Sequence, residues 1–96
     1  MKVEISLPEY NAESGLRIDW DKGFYLEVRP KGAAVRITGN AAGLRSLARL
    51  MLSIARDEVP SPYDVHLDDS NSLEPQSLEL VIAKDADARQ KPSSPR

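Results

Sequence analysis

The stretch AAVRITGNAAGLRSLARLMLSIA, residues 33–55, changes its apolar repeat partway along, and that change decides the fold. Up to Thr38, the apolar Ala33, Val35 and Ile37 alternate with Ala34, Arg36 and Thr38, the period of a half-buried strand. Beyond Gly43, the residues Leu44, Leu47, Ala48, Met51, Ile54 and Ala55 recur at three- and four-residue steps. Arg45, Arg49 and Arg56 line the opposite side, so this half reads as a helix with one apolar face. Asn40 sits at the junction as an N-cap, its side-chain oxygen suited to an amide hydrogen that the first turn leaves unpaired. Pro60 and Pro62 forbid continuation. A helix over 41–57, about 25 Å long, is therefore expected. On this reading Leu44 and Met51 are buried, and an aspartate at either is expected to unfold the domain.

Working outward, Phe24, Leu26 and Val28 alternate with Tyr25, Glu27 and Arg29, and Pro30-Lys31-Gly32 follows as a turn. Two alternating runs about such a turn predict an antiparallel hairpin. Val3, Ile5 and Leu7 alternate with Lys2, Glu4 and Ser6, predicting an N-terminal strand that Pro8 ends. Leu16–Trp20 is a further short candidate, before a turn at Asp21-Lys22-Gly23. After the helix, Val65 and Leu67 alternate with Asp64, His66 and Asp68. Residues 69–76 are a polar loop, and Leu78, Leu80 and Ile82 mark the last strand. The expected fold is α+β in two layers: one amphipathic helix packed on a mixed, mostly antiparallel sheet of four to five strands. A crossover through the helix would set the 33–38 and 64–67 strands parallel. The far sheet face, with Lys2, Glu4, Glu27, Arg29, Arg36, His66 and Glu79, is left to solvent or a partner. Residues 1–84 form a single domain on this reading, and 85–96, charged and without Leu, Ile or Val, a disordered C-terminal tail.

The net charge of −2 conceals an uneven distribution. Residues 1–56 hold nine basic and six acidic side chains. From Asp57 to Ala83 there are seven carboxylates (Asp57, Glu58, Asp64, Asp68, Asp69, Glu74 and Glu79) and no Lys or Arg. A concentrated negative field on a rigid scaffold steers cationic partners and repels phosphate. The absence of cysteine excludes disulfides, thiolate metal sites and cysteine catalysis, and fits a reducing compartment. No apolar run reaches the length of a membrane span, and the N-terminus lacks a signal-peptide core, so a soluble, cytoplasmic protein is expected.

Candidate chemistry is sparse. His66, the single histidine, alternates with Asp64 and Asp68, but neighbours on one strand face stand roughly 7 Å apart and cannot converge on an ion. Ser70, Ser72 and Ser77 lack the glycine pattern of a nucleophile elbow. The Asp69–Glu74 loop has Leu73 where a calcium loop needs oxygen. Gly39–Gly43 lacks the Gly-Lys-Ser/Thr ending of a phosphate loop, and helix capping explains it. The three helix arginines read as a solvated face rather than a nucleic-acid footprint. Trp20 fits an interface anchor and a core plug about equally.

The run Ile37-Thr38-Gly39-Asn40, with Gly43-Leu44, Leu47-Ala48 and Ile54-Ala55, resembles immunity protein family thirty-two of the bacterial polymorphic toxin systems. So do His66-Leu67-Asp68, Asn71-Ser72-Leu73-Glu74 and Ser77 to Ile82. The similarity covers roughly Leu26 to Ala83. It is most specific at His-Leu-Asp and Asn-Ser-Leu-Glu, which strand periodicity alone does not require. The resemblance implies a small α+β protein that binds a cognate toxin and blocks it, with no cofactor and no catalysis. Combined with the acidic stretch, it points to a cationic partner, for which a basic nuclease domain is one fitting class. Asp64, His66, Asp68, Asp69, Asn71 and Glu74 are the expected toxin contacts. Partnership with nucleic acid or membrane is not expected. The alternative is a self-associating module, a homodimer through an open sheet face or edge.

Overall fold

A computed structural model describes residues 1–90. It is α+β, with two antiparallel hairpins and one helix. Strand β1 (Leu26–Lys31) pairs with β2 (Ala34–Gly39), helix α1 spans Ala41–Ile54, and β3 (Tyr63–Leu67) pairs with β4 (Leu80–Lys84). A short 3-10 turn at Ala88–Gln90 follows, tied back by the Ala86 amide donating to Ser61 Oγ at 2.8 Å. The rest of the expected disordered tail, residues 91–96, lies outside the described residues.

The first hairpin turns on Gly32 and Ala33, with Gly32 at φ 58° and Lys31 opposite Ala34. Pro30 thus belongs to β1 rather than to the turn. A two-residue loop makes Lys31 and Ala34 a hydrogen-bonded pair, so Pro30, opposite Val35, occupies a position whose N–H would point away from β2. Proline is tolerated there because no bond of that ladder is lost.

The expected sheet of four to five strands is not what forms. The described residues contain two separate two-stranded ladders, and β2 and β3 do not pair. The hairpins are instead joined along the free edge of β1. The Glu74 amide donates to the Leu26 carbonyl at 2.9 Å and the Leu78 amide to the Val28 carbonyl at 2.8 Å, while the Val28 amide donates to Ser77 Oγ at 3.2 Å. Both segments ascend together, so this is the parallel contact of the fold, made by β1 and not by the 33–38 strand. Two residues of β1 are matched by four of the loop, and the surplus bulges outward at Pro75 and Gln76. Proline has no amide to give, and Gln76 takes φ 67°, so a regular strand cannot run through them. The Arg29 guanidinium holds the bulge by donating to the Pro75 carbonyl at 3.0 Å and the Gln76 carbonyl at 3.1 Å.

Neither Val3–Leu7 nor Leu16–Trp20 forms a strand. Leu16, Ile18, Trp20 and Phe24 nevertheless pack on the core, and Trp20 stacks on Phe24 with centroids 4.7 Å apart. Trp20 is thus a half-buried plug. Where the pattern suggested strand pairing, side-chain burial holds this segment together with isolated bonds, the Leu16 amide to the Tyr63 hydroxyl at 3.0 Å and Arg49 to the Asp19 carbonyl at 3.1 Å.

The helix starts where expected and ends three residues early, at Ile54. Its buried face differs from the expected stripe: Gly43, Ser46, Leu47, Leu50, Ser53 and Ile54 face inward, while Leu44 is 48% and Met51 45% exposed. The cause is close approach. A Cβ placed on Gly43 would overlap the Tyr25 carbonyl, so the helix meets the entry to β1 through bare backbone. Ser46 supports the same approach, donating to the Ala42 carbonyl at 2.7 Å and accepting from the Asp21 amide at 2.9 Å. Asn40 does more than cap: Oδ1 accepts from the Gly43 and Tyr25 amides at 2.8 and 3.0 Å, and Nδ2 donates to the Gly23 carbonyl at 2.9 Å. Leu26, Val28, Leu47, Leu50, Ile54, Val65, Leu67 and Leu73 close the core beneath.

The expected effect of Leu44→Asp and Met51→Asp is corrected accordingly. Both variants should stay folded, whereas Leu50→Asp should not fold, and Leu50→Ala should lose about 2–5 kcal/mol. Gly43→Ala should destabilise by about 1–3 kcal/mol through overpacking, and Asn40→Ala by about 1–2 kcal/mol through loss of the cap. Urea unfolding followed by circular dichroism measures all six.

Candidate functional site

In β3 the exposed Asp64 and His66 alternate with the buried Val65 and Leu67, placing the two polar residues on the face away from the helix. The register sets His66 opposite Val81 and Asp64 opposite Ala83. Glu79, just before β4, reaches the same face, its Oε2 3.3 Å from His66 Nδ1. Lys84, the first cation after the acidic stretch, is turned elsewhere: its Nζ donates to the Arg56 and Val59 carbonyls at 2.7 and 3.0 Å. It therefore closes the turn after the helix and is not paired with the carboxylates of the outer face.

The other predicted contact residues lie in the loop that follows β3, and two of them are fully engaged in building it. Asp68 Oδ1 accepts from the Ser70 hydroxyl at 2.7 Å and from the Ser70 and Asn71 amides at 2.9 and 3.1 Å. The Asp68 carbonyl accepts the Leu73 amide at 2.9 Å. Asn71 reciprocates, its Oδ1 accepting from the Asp68 amide at 3.0 Å and its Nδ2 donating to the His66 carbonyl at 2.9 Å. Asp and Asn hold tight turns in this way because their short side chains reach nearby backbone groups. The product is a rigid corner that drives Leu73 into the core. The polar residues of His-Leu-Asp and Asn-Ser-Leu-Glu thus have a structural task that strand periodicity could not reveal.

Asp69 and Glu74 stand differently. Asp69 Oδ2 accepts the Gln76 amide at 3.2 Å but remains exposed, and Glu74 is half-buried, with its backbone fixed to Leu26. Of the six predicted residues, Asp64, His66 and Asp69 are exposed with their side chains directed outward or only partly engaged. Asp68 and Asn71 shape the loop beneath them. Glu79 and Arg29 were not among the predicted contacts. Glu79 was readable as the partner of His66 once the hairpin register was known, whereas nothing local to Arg29 signals its hold on residues 75 and 76.

The helix arginines are neither a plain solvated face nor a nucleic-acid footprint. Arg45 and Arg49 both bind the Asp21 carboxylate at 2.9 Å, and Arg49 also donates to the Asp19 carbonyl at 3.1 Å, strapping the 19–21 segment to the helix. Arg49, first, and Arg45 hold the Asp21 carboxyl below its ordinary value. Among the described residues no group of three or more His, Asp or Glu is arranged to hold a metal ion.

The α+β scaffold thus places Asp64, His66 and Glu79 on one outer hairpin face, with Asp69 in the loop that continues it. The family model described as Immunity protein 32 matches residues 34–85, from β2 through Asp85, more than half of the chain. The chain belongs to the immunity protein 32 family. No curated protein and no solved structure matches it. No helix among the described residues is long and apolar enough to cross a membrane.

The Ser70 hydroxyl, then the Ser70 and Asn71 amides, hold the Asp68 carboxyl below its ordinary value of 3.8. The ionised carboxylate therefore stabilises the fold fully above pH 3.8, and this stabilisation disappears as pH falls from there through the lower folded value. Ser70→Ala removes the largest cause and brings the folded value back towards the unfolded one. It should lower the urea midpoint at neutral pH and flatten its decline in acid relative to the wild-type chain.

Proposed function

We propose that this chain binds a cognate toxin domain and neutralises it without catalysis, using the outer face of β3–β4 and the adjoining loop. Family membership supports a toxin as the partner. The observation that carries the choice of surface is the exposure of Asp64, His66 and Glu79 on one hairpin face, continued by Asp69 in a braced loop, with Lys84 turned away. Such a face suits a cationic partner surface, and a nuclease whose substrate cleft is lined with Lys and Arg has that character. Carboxylates held in place before contact bind without first being ordered, and like-charged nucleic acid is repelled. Asp64, His66, Asp69, Glu74 and Glu79 would meet the toxin, while Asp68 and Asn71 fix the loop that carries two of them. A bacterial cytoplasm, where a toxin-producing cell needs protection, is the matching location.

The test uses the toxin domain encoded immediately beside this chain, purified in an inactive form and titrated by calorimetry. Wild-type affinity should fall as salt rises from low to physiological concentration. Asp64→Lys with Glu79→Lys should weaken binding tenfold or more while the circular dichroism spectrum is unchanged, because neither carboxylate holds the loop. Equal affinity for this folded double variant would rule out the acidic face. Charge reversal at Asp68 is unsuitable for this purpose, since it dismantles the turn and confounds contact with folding.

A further inference from the structure

Strand β2 is the least covered element of the fold. Its inner-face residues Val35 and Ile37 lie opposite Pro30 and Val28, yet Val28 is buried while Val35 is 64% exposed and Ile37 is also exposed. The geometry explains this. A helix about 10 Å across spans roughly two strands spaced about 4.8 Å apart. Here α1 packs on β1 and the second hairpin and meets β2 only at its C-terminal end, where Leu44 lies against Gly39, leaving Val35 and Ile37 uncovered. The outer edge of β2 is open as well. With Lys31 and Ala34 a bonded pair, the N–H and C=O groups of Val35 and Ile37 point away from β1, and no hydrogen bond among the described residues takes them up. On the polar face Arg36 sits directly opposite Arg29; Arg29 is ion-paired to Glu27 at 3.2 Å, whereas among the described residues the Arg36 side chain forms no ion pair or hydrogen bond and feels Glu27 only through its charge.

A second segment is incomplete in the complementary way. Lys2-Val3-Glu4-Ile5-Ser6-Leu7 alternates like a strand, lies in no strand, and leaves Val3 68% exposed. Laid along β2 with Glu4 opposite Arg36, it places Val3 and Ile5 beside Val35 and Ile37. Lys2 and Ser6 then face Ala34 and Thr38, with no like charges opposed in either strand direction. The added strand would cover apolar surface, satisfy the edge and neutralise Arg36 together.

Within its own chain the segment does not lie on that edge, since residues 2–7 form no strand or bridge. Tyr10 packs edge-on against Tyr63 of β3, with centroids 6.5 Å apart. β3 stands at the far side of the order β2, β1, residues 74–84, β3, so a strand outside β2 lies about 19 Å from it at 4.8 Å per strand. The chain is thus anchored at Tyr10 beside β3, away from the open edge of β2. We propose that the free edge of β2 receives residues Lys2–Leu7 of a second copy, giving a strand-exchanged dimer in which Glu4 of each copy pairs with Arg36 of the other. The acidic β3–β4 face stays open in such a dimer, so this inference is independent of the toxin reading.

The chain has no cysteine, which makes the contact directly testable. The double variant Glu4→Cys, Arg36→Cys, oxidised at micromolar concentration, should give a covalent dimer whose tryptic map contains an interchain 4–36 disulfide. An intrachain 4–36 disulfide, only 4–4 and 36–36 links, or no crosslink would each overturn the proposal. Sedimentation of cysteine-free variants provides the second measurement. Glu4→Arg should raise the dimer dissociation constant tenfold or more, and adding Arg36→Glu should restore it. A monomeric wild-type chain, or no rescue by the charge exchange, would overturn it. Both side chains are exposed and form no bond within the fold, so the variants retain it.

Discussion

Strand β1 is bonded along both of its edges, by alternate residues, and the whole structure depends on this. Glu27 and Arg29 face β2 across the ladder; on the other side the Leu26 and Val28 carbonyls accept amides from Glu74 and Leu78, and the Val28 amide donates to Ser77 Oγ. The Leu26 and Val28 side chains are almost completely buried. A buried backbone group left unpaired costs about as much as a lost hydrogen bond, so the 74–78 segment is obligatory once β1 is sealed under the helix. That requirement is what converts two hairpins, each marginal alone, into one folded unit.

The same strand sets the position of the helix. Tyr25, one residue before β1, gives its amide to Asn40 Oδ1 and its carbonyl to the Asn40 amide at 3.2 Å, and Gly43 lies directly over that carbonyl. The helix is thus pinned at its first turn against the entry of β1 and can approach only through small residues. Gly43, Ser46 and Ser53 take the closest positions, with Leu47, Leu50 and Ile54 filling the space between. Leu44 and Met51 are displaced to the flank and half exposed, Leu44 lying against Gly39 at the end of β2.

This displacement explains which parts of the fold could be read from the chain. The periods of the four strands, the Asn40 cap and the antiparallel character of the first hairpin are local properties, and local rules identified them. The rotation of the helix was hidden because a hydrophobic stripe ranks side chains by apolarity, whereas Gly43 and Ser46 are buried for their size. The single sheet was over-read for a related reason. Val3–Leu7 and Leu16–Trp20 have suitable patterns, but pairing depends on which edges remain open, and that is decided by residues far away. In the candidate site, the alternation of Asp64 and His66 was legible. The task of Asp68 and Asn71 was not, because side-chain bonds to a turn leave no periodic mark.

Bracing of the loop bears directly on what the carboxylates can do. An acidic segment of an unfolded chain would carry the same formal charge, but binding would then require ordering each side chain and its backbone, at roughly 1–2 kcal/mol per residue. Here the backbone between His66 and Leu78 is fixed in advance by Asp68, Asn71, the Leu73 anchor and the Arg29 hold on residues 75 and 76. Arg29 is a cation spent on carbonyl oxygens at the margin of the acidic region, where it stiffens the scaffold and is itself balanced by Glu27. Shape and charge are therefore supplied by different residues: Asp68, Asn71 and Arg29 hold the surface still, and Asp64, Asp69 and Glu79 give it its sign. A partner would discriminate through the second group, while the first determines how much of that interaction survives the entropy of association.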